Sequence, residues 1–330
     1  MKYIDHGVGG DAECLQLADS VRPVPGPGQV LIEVICAGVN RPDVLQRLGK
    51  YPPPPDASPV LGLEVAGRIR ALGAGVADWK VDDEVTALTP GGGYAEYCVA
   101  EAGQLLPIPT GMDFATAAGL AENWFTVWAN LMIHGQLAHG ERLLVHGGSS
   151  GIGLTAIQLA RHIGVECLVT VGNDEKAKFC RDFGAALAIN YRTHDFAAEV
   201  KRYTGNGDTG VDVVLDMVGA PYLQRNLSVL RRDGRLVFVA FLEGSRSDVD
   251  LMPVMLKRLT ITGSTMRPRS LAEKSAIRDA LLQNIWPGLA SGAIRTQVFA
   301  RFPMAQAAQA HQLMESSQHI GKIVLDVASG

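Results

Sequence analysis

The sequence has little that would tie it to an oxidising compartment, a membrane or a nucleic acid. Its five cysteines, Cys14, Cys36, Cys98, Cys167 and Cys180, are odd in number, scattered, and nowhere spaced C-x-x-C. That pattern excludes a disulfide framework and a thiolate zinc cluster, and leaves buried free thiols as the reading. No run of about 18 uninterrupted apolar residues occurs; the greasiest window, residues 117–131, carries Glu122 and Asn123. The opening Met1-Lys2-Tyr3-Ile4-Asp5-His6-Gly7 has no apolar signal region, so a cytoplasmic protein without a membrane span is expected. Basic residues number 30 against 34 acidic, a net charge of −4, with no Lys/Arg cluster to make a nucleic-acid-binding face. Charged residues make up only 19%, below the usual ~25%.

Hydrophobic residues, by contrast, reach 47%, enough for a large core and against wholesale disorder. A chain of 330 residues corresponds to two domains at about 150 residues each. Glycine is abundant, 37 residues, which suggests tight turns and close backbone approach to a ligand.

The first 110 residues read as a compact β domain. Residues 30–36, 64–69 and 94–99 are apolar or alternating runs suited to strands, separated by turn clusters at Tyr51-Pro52-Pro53-Pro54-Pro55, Gly73-Ala74-Gly75 and Pro90-Gly91-Gly92-Gly93. Near residue 113 the pattern changes. Asp113 is placed to cap a helix over 114–120, and helical spacing continues over 124–133. From Arg142 strands (142–146, 167–171, 188–189, 211–216, 236–240) alternate with helices (155–163, 175–183). That alternation predicts an α/β fold with a doubly wound parallel sheet. The last 65 residues hold one long helical stretch, 271–289, and a terminal strand, 322–327; too short for another domain, they are expected to return to the first.

The most informative segment is His146-Gly147-Gly148-Ser149-Ser150-Gly151-Ile152-Gly153-Leu154, between a predicted strand and helix. Glycines there let backbone N–H groups approach a pyrophosphate, and the following helix turns its positive dipole end toward it. The triplet Gly148, Gly151, Gly153 departs from strict G-x-G-x-x-G, so its weight comes from the strand–turn–helix context. The plain alternative is an ordinary glycine-rich turn. The next strand ends Val169-Thr170-Val171-Gly172-Asn173, without the carboxylate that binds a ribose 2′-OH in NAD sites. Lys176 follows, and a cation there suits the 2′-phosphate of NADPH. Asp174 and Glu175 could still bend back to a ribose, and Lys176 could equally be a solvated helix charge.

Several motifs in order resemble one family. They are Gly38-Val39-Asn40-Arg41-Pro42-Asp43, Arg47-Leu48-Gly49-Lys50-Tyr51-Pro52, Leu61-Gly62-Leu63-Glu64-Val65-Ala66-Gly67, the glycine loop, Ala188-Ile189-Asn190-Tyr191-Arg192, Gly263-Ser264-Thr265-Met266-Arg267 and Ile320-Gly321-Lys322-Ile323-Val324-Leu325. Together they resemble the zinc-free quinone oxidoreductases of the medium-chain dehydrogenase/reductase superfamily, of the p53-inducible type, over essentially the whole chain. The resemblance implies a GroES-like β-rich substrate domain and a Rossmann domain inserted in it, with NADPH in the interdomain cleft. The division expected is residues 1–120, GroES-like; 121–262, Rossmann; 263–330, returning to the substrate domain. In that family a lysine and a tyrosine matching Lys176 and Tyr191 hold the 2′-phosphate, with Asn173 here in place of a small hydroxyl residue.

The resemblance also bears on the chemistry. Zinc-dependent relatives carry a catalytic Cys near Gly38 and a His in Gly-His-Glu; here those regions read Ala37-Gly38-Val39-Asn40-Arg41 and Gly62-Leu63-Glu64. Without a Lewis acid the expectation is hydride transfer from nicotinamide to a quinone, the protein mainly orienting the reactants. Asn40 and Tyr51 match positions that line the substrate site and position the quinone, although Asn40 could instead stabilise its own loop and Tyr51 could be only a wall. Where some members have a second tyrosine a few residues before Tyr51, this chain has Leu45. Gly148 to Gly153 (Gly148, Ser149, Ser150, Gly151, Ile152, Gly153), Asn173, Lys176 and Tyr191 are the expected cofactor contacts. Val218, Gly219, Phe241, Leu242, Ser264, Thr265 and Met266 are expected near the nicotinamide. Cys36 has no adjacent His or Lys and reads as core rather than nucleophile. The alternatives are an enoyl or enone (2-alkenal) reductase with Tyr51 as proton donor, and a non-catalytic NADPH-binding protein. Family members are mostly homodimers or homotetramers paired through Rossmann edge strands, which makes residues 236–239 and those following the interface candidate.

Overall fold

A computed structural model of the chain describes residues 1–205 and 209–327. The chain forms two compact units: Met1–Phe125 joined by the chain from Arg267 onward, and Thr126–Met266. Among the described residues no helix is long and apolar enough to cross a membrane.

In unit 1 a small antiparallel ribbon, β1 (Lys2–Asp5) with β2 (Gln16–Asp19), precedes the central strand β3 (Gln29–Val39). β3 pairs antiparallel with β4 (Glu64–Leu72), which continues to β5 (Glu84–Leu88) and β7 (Leu105–Pro107). The other edge of β3 is shared. β6 (Tyr97–Glu101) lies opposite residues 29–33, and a strand from the end of the chain lies opposite residues 36–39. Val30, Ile32, Val34, Val39, Val65 and Ile69 alternate inward and are essentially inaccessible, each contributing about 1.5–3 kcal/mol by leaving water. Helix α1 (Arg41–Arg47) begins at Asn40, whose N–H donates to Asp43 Oδ2 at 2.8 Å; the sequence reading placed no helix there. The expected strand over 94–99 begins only at Tyr97. Tyr94 is diverted by backbone bonds to Leu61 and Ile4. Asp113 does cap a helix, accepting from Thr116 N, but α2 (Phe114–Ala117) is a single turn. α3 (Ala121–Val127) follows and runs into a π-helical turn, Trp128–His134, where an unbroken α-helix was expected.

Unit 2 is a parallel sheet in the order β10-β9-β8-β11-β12-β13. Its elements run β8 (Arg142–His146), α4 (Gly151–Ile163), β9 (Glu166–Val171), α5 (Asp174–Phe183), β10 (Leu187–Asn190) and α6 (Phe196–Thr204). β11 (Val211–Asp216), α7 (Leu223–Val229), β12 (Leu230–Phe238), α8 (Met252–Lys257) and β13 (Thr260–Gly263) complete it. β8, β9 and β11 are buried on both faces, which is why they read as continuous apolar runs rather than alternations. Leu144, Leu168, Val214, Leu236, Phe196 and Leu227 share its core. β12 starts six residues before the expected 236 and ends at Phe238, and it is internal, paired with β11 and β13. Residues 236–239 are therefore not themselves a sheet edge; among the residues that follow them, β13 forms the outer edge on that side.

The returning chain forms α9 (Leu271–Asn284), α10 (Trp286–Ala290), β14 (Val298–Pro303), α11 (Ala307–Ser316) and β15 (Lys322–Asp326), with β15 completing the sheet against β3. The single helix expected over 271–289 breaks at Ile285, because Pro287 in the first turn of α10 lacks the N–H that would continue α9.

Candidate functional site

In unit 2 the expected cofactor residues fall just beyond the carboxyl ends of successive parallel strands, where open α/β sheets bind their ligands. The glycine loop follows His146 on β8, Asn173 and Lys176 follow β9, and Tyr191 follows β10. Val218 and Gly219 follow β11, Phe241 and Leu242 follow β12, and Ser264 to Met266 follow β13.

Ser150 caps α4, its Oγ accepting from Gly153 N at 3.0 Å, and the helix begins at Gly151, four residues earlier than expected. The last glycine of the loop is thus inside the first turn, where free N–H groups and the helix dipole can receive an anion. A Cβ at Gly153 would lie 2.4 Å from Gly147 O, and one at Gly148 would lie 2.4 Å from Val169 Cβ. The left-handed turn falls on Gly147 (φ 72°), outside the expected triplet. Ser149 is 6% exposed, and Gly148 N donates to Thr170 O at 2.9 Å.

Asn173 caps α5, its Oδ1 accepting from Lys176 N at 2.8 Å. Lys176 is 8% exposed, so it is not a solvated charge; burial lowers its pKa, with Cys180 and Glu175 opposing and Arg192 adding to the shift. A Cβ at Gly172 would lie 3.2 Å from Tyr191 Oη and 3.8 Å from Arg192 Nε, so both side chains close over the strand end. Tyr191 is 43% exposed. Asp174 does not bend back to a ribose: its carboxylate accepts from Asn190 Nδ2 at 2.8 Å. Arg192, quoted in a sequence motif but not assigned to the site, supplies a second cation near Lys176; only the tertiary placement of β10 beside β9 reveals it.

Val218 N and Gly219 N donate to Asp216 Oδ1 at 2.6 and 3.2 Å. Gly219 (φ 96°) packs against the Phe241 loop, and Leu242 N donates to Met217 O. Ser264 Oγ donates to Asn130 Oδ1 in the π-helical turn at 2.9 Å; Thr265 is exposed and Met266 buried.

In unit 1 Asn40 is 7% exposed and its amide is committed. Nδ2 donates to Glu64 Oε1 at 2.9 Å, and Oδ1 accepts from Lys322 Nζ at 2.7 Å. Lys322 Nζ also donates to Glu64 Oε1 at 2.6 Å and approaches Val39 O at 3.4 Å, and Glu122 N donates to Glu64 Oε2. A Cβ at Gly38 would lie 2.2 Å from Glu64 Oε1. Among the described residues no group of three or more His, Cys, Asp or Glu could hold a metal ion. Nearby, Asp43 accepts from Tyr94 Oη, whose ring neighbour His311 also accepts from Arg47. Burial, opposed by the Asn40 and Gly62 N–H groups, pushes the Asp43 carboxyl up to about 7.

Tyr51 is partly buried beside the Arg267 guanidinium, 5.4 Å from the ring centroid. Burial and Glu122 raise its hydroxyl to about 12, against the pull of Arg267. Arg267 is fixed by two bonds to Pro90 O and one to Gln46 Oε1, contacts that sequence spacing gave no sign of. Cys36 is core: burial and its bond to Asp326 push the thiol up to about 12.

Residues 151–281 match the zinc-binding dehydrogenase family and residues 26–110 the alcohol dehydrogenase GroES-like domain family. Human quinone oxidoreductase is 32% identical over 321 residues, covering 96% of this chain and 94% of that protein. The chain spans only 15% of a mycocerosic acid synthase-like polyketide synthase of Mycobacterium tuberculosis, at 30% identity over 319 residues, 96% of this chain. Escherichia coli quinone oxidoreductase complexed with NADPH superposes with a TM-score of 0.87 at 28% identity, over 99% of this chain and all (100%) of that one. A 2-haloacrylate reductase superposes at TM-score 0.82 and 29% identity, over 100% of both chains. With a GroES-like β unit, an inserted Rossmann sheet and full-length similarity to quinone oxidoreductases, the chain belongs to the quinone oxidoreductases of the medium-chain dehydrogenase/reductase superfamily.

Proposed function

We propose that this protein is a zinc-independent NADPH:quinone oxidoreductase. The observation that carries the cofactor choice is the cation pair Lys176 and Arg192 beside Tyr191, with Asp174 tied away to Asn190. The glycine loop and the N-terminus of α4 would receive the pyrophosphate, and Lys176, Tyr191, Arg192 and the Asn173 amide the 2′-phosphate. Val218, Gly219, Phe241, Leu242, Ser264, Thr265 and Met266 would line the nicotinamide. When bound, NADPH supplies a hydride.

Zinc independence is supported by what fills the place of the metal. Asn40 and the Lys322 ammonium satisfy Glu64, so a cation already occupies that environment, and the donor set does not fit zinc. Tyr51 would donate a hydrogen bond to the acceptor oxygen, and Asn40, its amide fixed between Glu64 and Lys322, would position the acceptor by shaping the wall of its site. A phenol held at about 12 keeps its proton at neutral pH. That suits polarising a quinone oxygen better than protonating carbon, as alkene reduction requires. Alkene reduction remains the second reading because a 2-haloacrylate reductase shares the fold over its full length.

A cytoplasmic homodimer or homotetramer completes the proposal. β13 ends the sheet, and α8, which leads into it, has no buried residue and exposes Met252, Met255 and Leu256. An open edge beside an apolar face suits pairing with a second copy; sedimentation velocity tests it.

The functional test is NADPH and NADH oxidation by the purified protein against ortho- and para-quinones and 2-alkenals. Quinone-dependent turnover preferring NADPH is expected. Lys176→Ala should lower kcat/KM for NADPH by about ten- to a hundred-fold, one or two charged hydrogen bonds, and leave NADH unchanged. Turnover confined to alkenals would move the activity to alkene reduction. NADPH binding without turnover on any acceptor would overturn the catalytic reading.

A further inference from the structure

Four buried polar side chains behind the cofactor loops have no part in the proposed hydride transfer. Thr170, His146, Asn226 and Asp216 are between 0% and 1% exposed and come from β9, β8, α7 and β11. They form one chain. Thr170 Oγ1 is 3.0 Å from His146 Nδ1, His146 Nε2 is 2.8 Å from Asn226 Oδ1, and Asn226 Nδ2 donates to Asp216 Oδ2 at 2.9 Å. The other carboxylate oxygen, Oδ1, accepts from Val218 N and Gly219 N.

The order of protons along this chain follows from the one carboxylate. An ionised Asp216 only accepts, so Asn226 must turn its NH2 toward it and its carbonyl toward His146. His146 Nε2 must then carry the hydrogen, leaving Nδ1 bare, and the Thr170 hydroxyl donates to it. Burial, opposed by Asn226 and aided by Arg225, holds the imidazole pKa down to about 4, so the ring is neutral. The remaining neighbours of His146 are the edge-on rings of Phe196 and Tyr222, each 4.8 Å away, with Arg225 stacked over both and paired to Asp195. Among the described residues no other carboxylate bonds to the side chains of Thr170, His146 or Asn226.

Both ends of the chain reach a loop expected to hold cofactor. Gly147 follows His146 directly, and Gly148 N donates to Thr170 O; Val218 and Gly219 hang on Asp216 itself. We propose that Thr170, His146, Asn226 and Asp216 are positioning residues, a relay of fixed proton order that locks the glycine loop and the Val218–Gly219 loop into one geometry for NADPH. The inference rests on the reading that these loops hold NADPH. Two remote loops are set by one charge through three neutral links.

The test is nitrogen-15 NMR of the histidine rings together with NADPH titration by fluorescence. In the wild-type protein His146 is the Nε2–H tautomer. Asp216→Asn keeps an acceptor for Val218 and Gly219 but sets two amides face to face. Asn226 must turn over, and His146 must pass to the Nδ1–H tautomer. NADPH should then bind about three- to ten-fold more weakly, because the loops that would hold it lose their common anchor, with the amide signals of Gly148, Val218 and Gly219 shifting together. Thr170→Val, which leaves the carboxylate in place, should keep the Nε2–H tautomer while moving the Gly148 signal. An Nδ1–H tautomer in the wild-type protein overturns the proposal. So does an Asp216→Asn protein whose tautomer and NADPH affinity are unchanged. If the tautomer switches as stated but the wild-type protein binds no NADPH, the relay stands and the cofactor reading falls.

Discussion

The Lys322–Glu64 pair gives the sharpest test of how unit 1 is held together. The side chains are 4% and 0% exposed, the charges are 2.6 Å apart, and the lysine stem lies over Gly119, where an added Cβ would come within 2.8 Å of its Cγ. At an effective dielectric constant of 20, opposite unit charges at that distance attract by about 6 kcal/mol, and the cost of removing both from water offsets part of it. Lys322→Met keeps the stem and removes the ammonium, leaving a buried carboxylate held by Asn40 Nδ2 and Glu122 N alone. The expected loss is about 3–5 kcal/mol of unfolding free energy, the range for one partner removed from a buried ion pair. Replacing Glu64 by Gln as well removes the stranded charge, so the double variant should recover about 2 kcal/mol or more of that loss. Urea unfolding at neutral pH, followed by circular dichroism and tryptophan fluorescence, measures all three. A loss below about 1 kcal/mol, the scale of an exposed pair, or a double variant no more stable than the single one, would refute the reasoning.

Other outcomes follow from the same geometry. Gly153→Ala puts a methyl 2.4 Å from Gly147 O and 2.5 Å from Gly148 O; the backbone must move, costing about 1–3 kcal/mol of stability, and NADPH affinity in a fluorescence titration should fall at least about ten-fold. His311 is held neutral, its pKa lowered to about 3 by burial and then by Arg47 and Arg41. The unfolded chain, titrating near 6.5, binds that proton first, so this contribution is whole above about pH 6.5 and is lost as pH falls toward 3, at up to about 1.4 kcal/mol per pH unit. His311→Gln should therefore flatten the loss of urea stability between pH 6 and 4.5 by about 2 kcal/mol, while the raised carboxyls of Asp43 and Asp216 push the other way in both proteins. Cys36, Cys98 and Cys180 are pushed up to about 12 and Cys167 is raised further, each chiefly by burial. A disulfide exchange reagent should label half-buried Cys14 quickly and the other four thiols only after unfolding.

Much of unit 2 was legible because its structure is local. β8, β9 and β11 are apolar stretches bounded by glycines, and the strand–loop–helix around Gly148 carries its own grammar. The misreadings fall where a nonlocal contact or a backbone detail decides. Gly147, rather than the triplet, takes the positive φ, and Met217, just past the end of β11, lies so close that an added Cβ would meet its Sδ at 2.7 Å. α1 hides behind Pro42, a residue that breaks helices in their middle but fits their first turn. The break at Ile285 is the converse case: Pro287 lies inside a continuous helical pattern and starts a new helix. Asn40 is the clearest limit. Its partners Glu64 and Lys322 are 24 and 282 positions away, so no spacing rule could reveal that its amide is already committed. Arg192 and Arg267 escaped notice for the same reason, one lying against the next strand and the other against Pro90 and Gln46.

The insertion of one unit inside the other sets the timetable of synthesis. β3 emerges early, but the strand that covers residues 36–39 arrives 283 residues after Val39. At 5–20 residues per second that is a wait of about 15–60 s, during which an apolar strand edge stands unpaired and the cation that answers Glu64 does not yet exist. The inserted sheet needs only contiguous chain, so it closes first while its host remains an incomplete template. A ribosome stalled shortly before β15 would display a finished nucleotide-binding unit on an unfinished support, with the open side of β3 as the surface for a chaperone to cover.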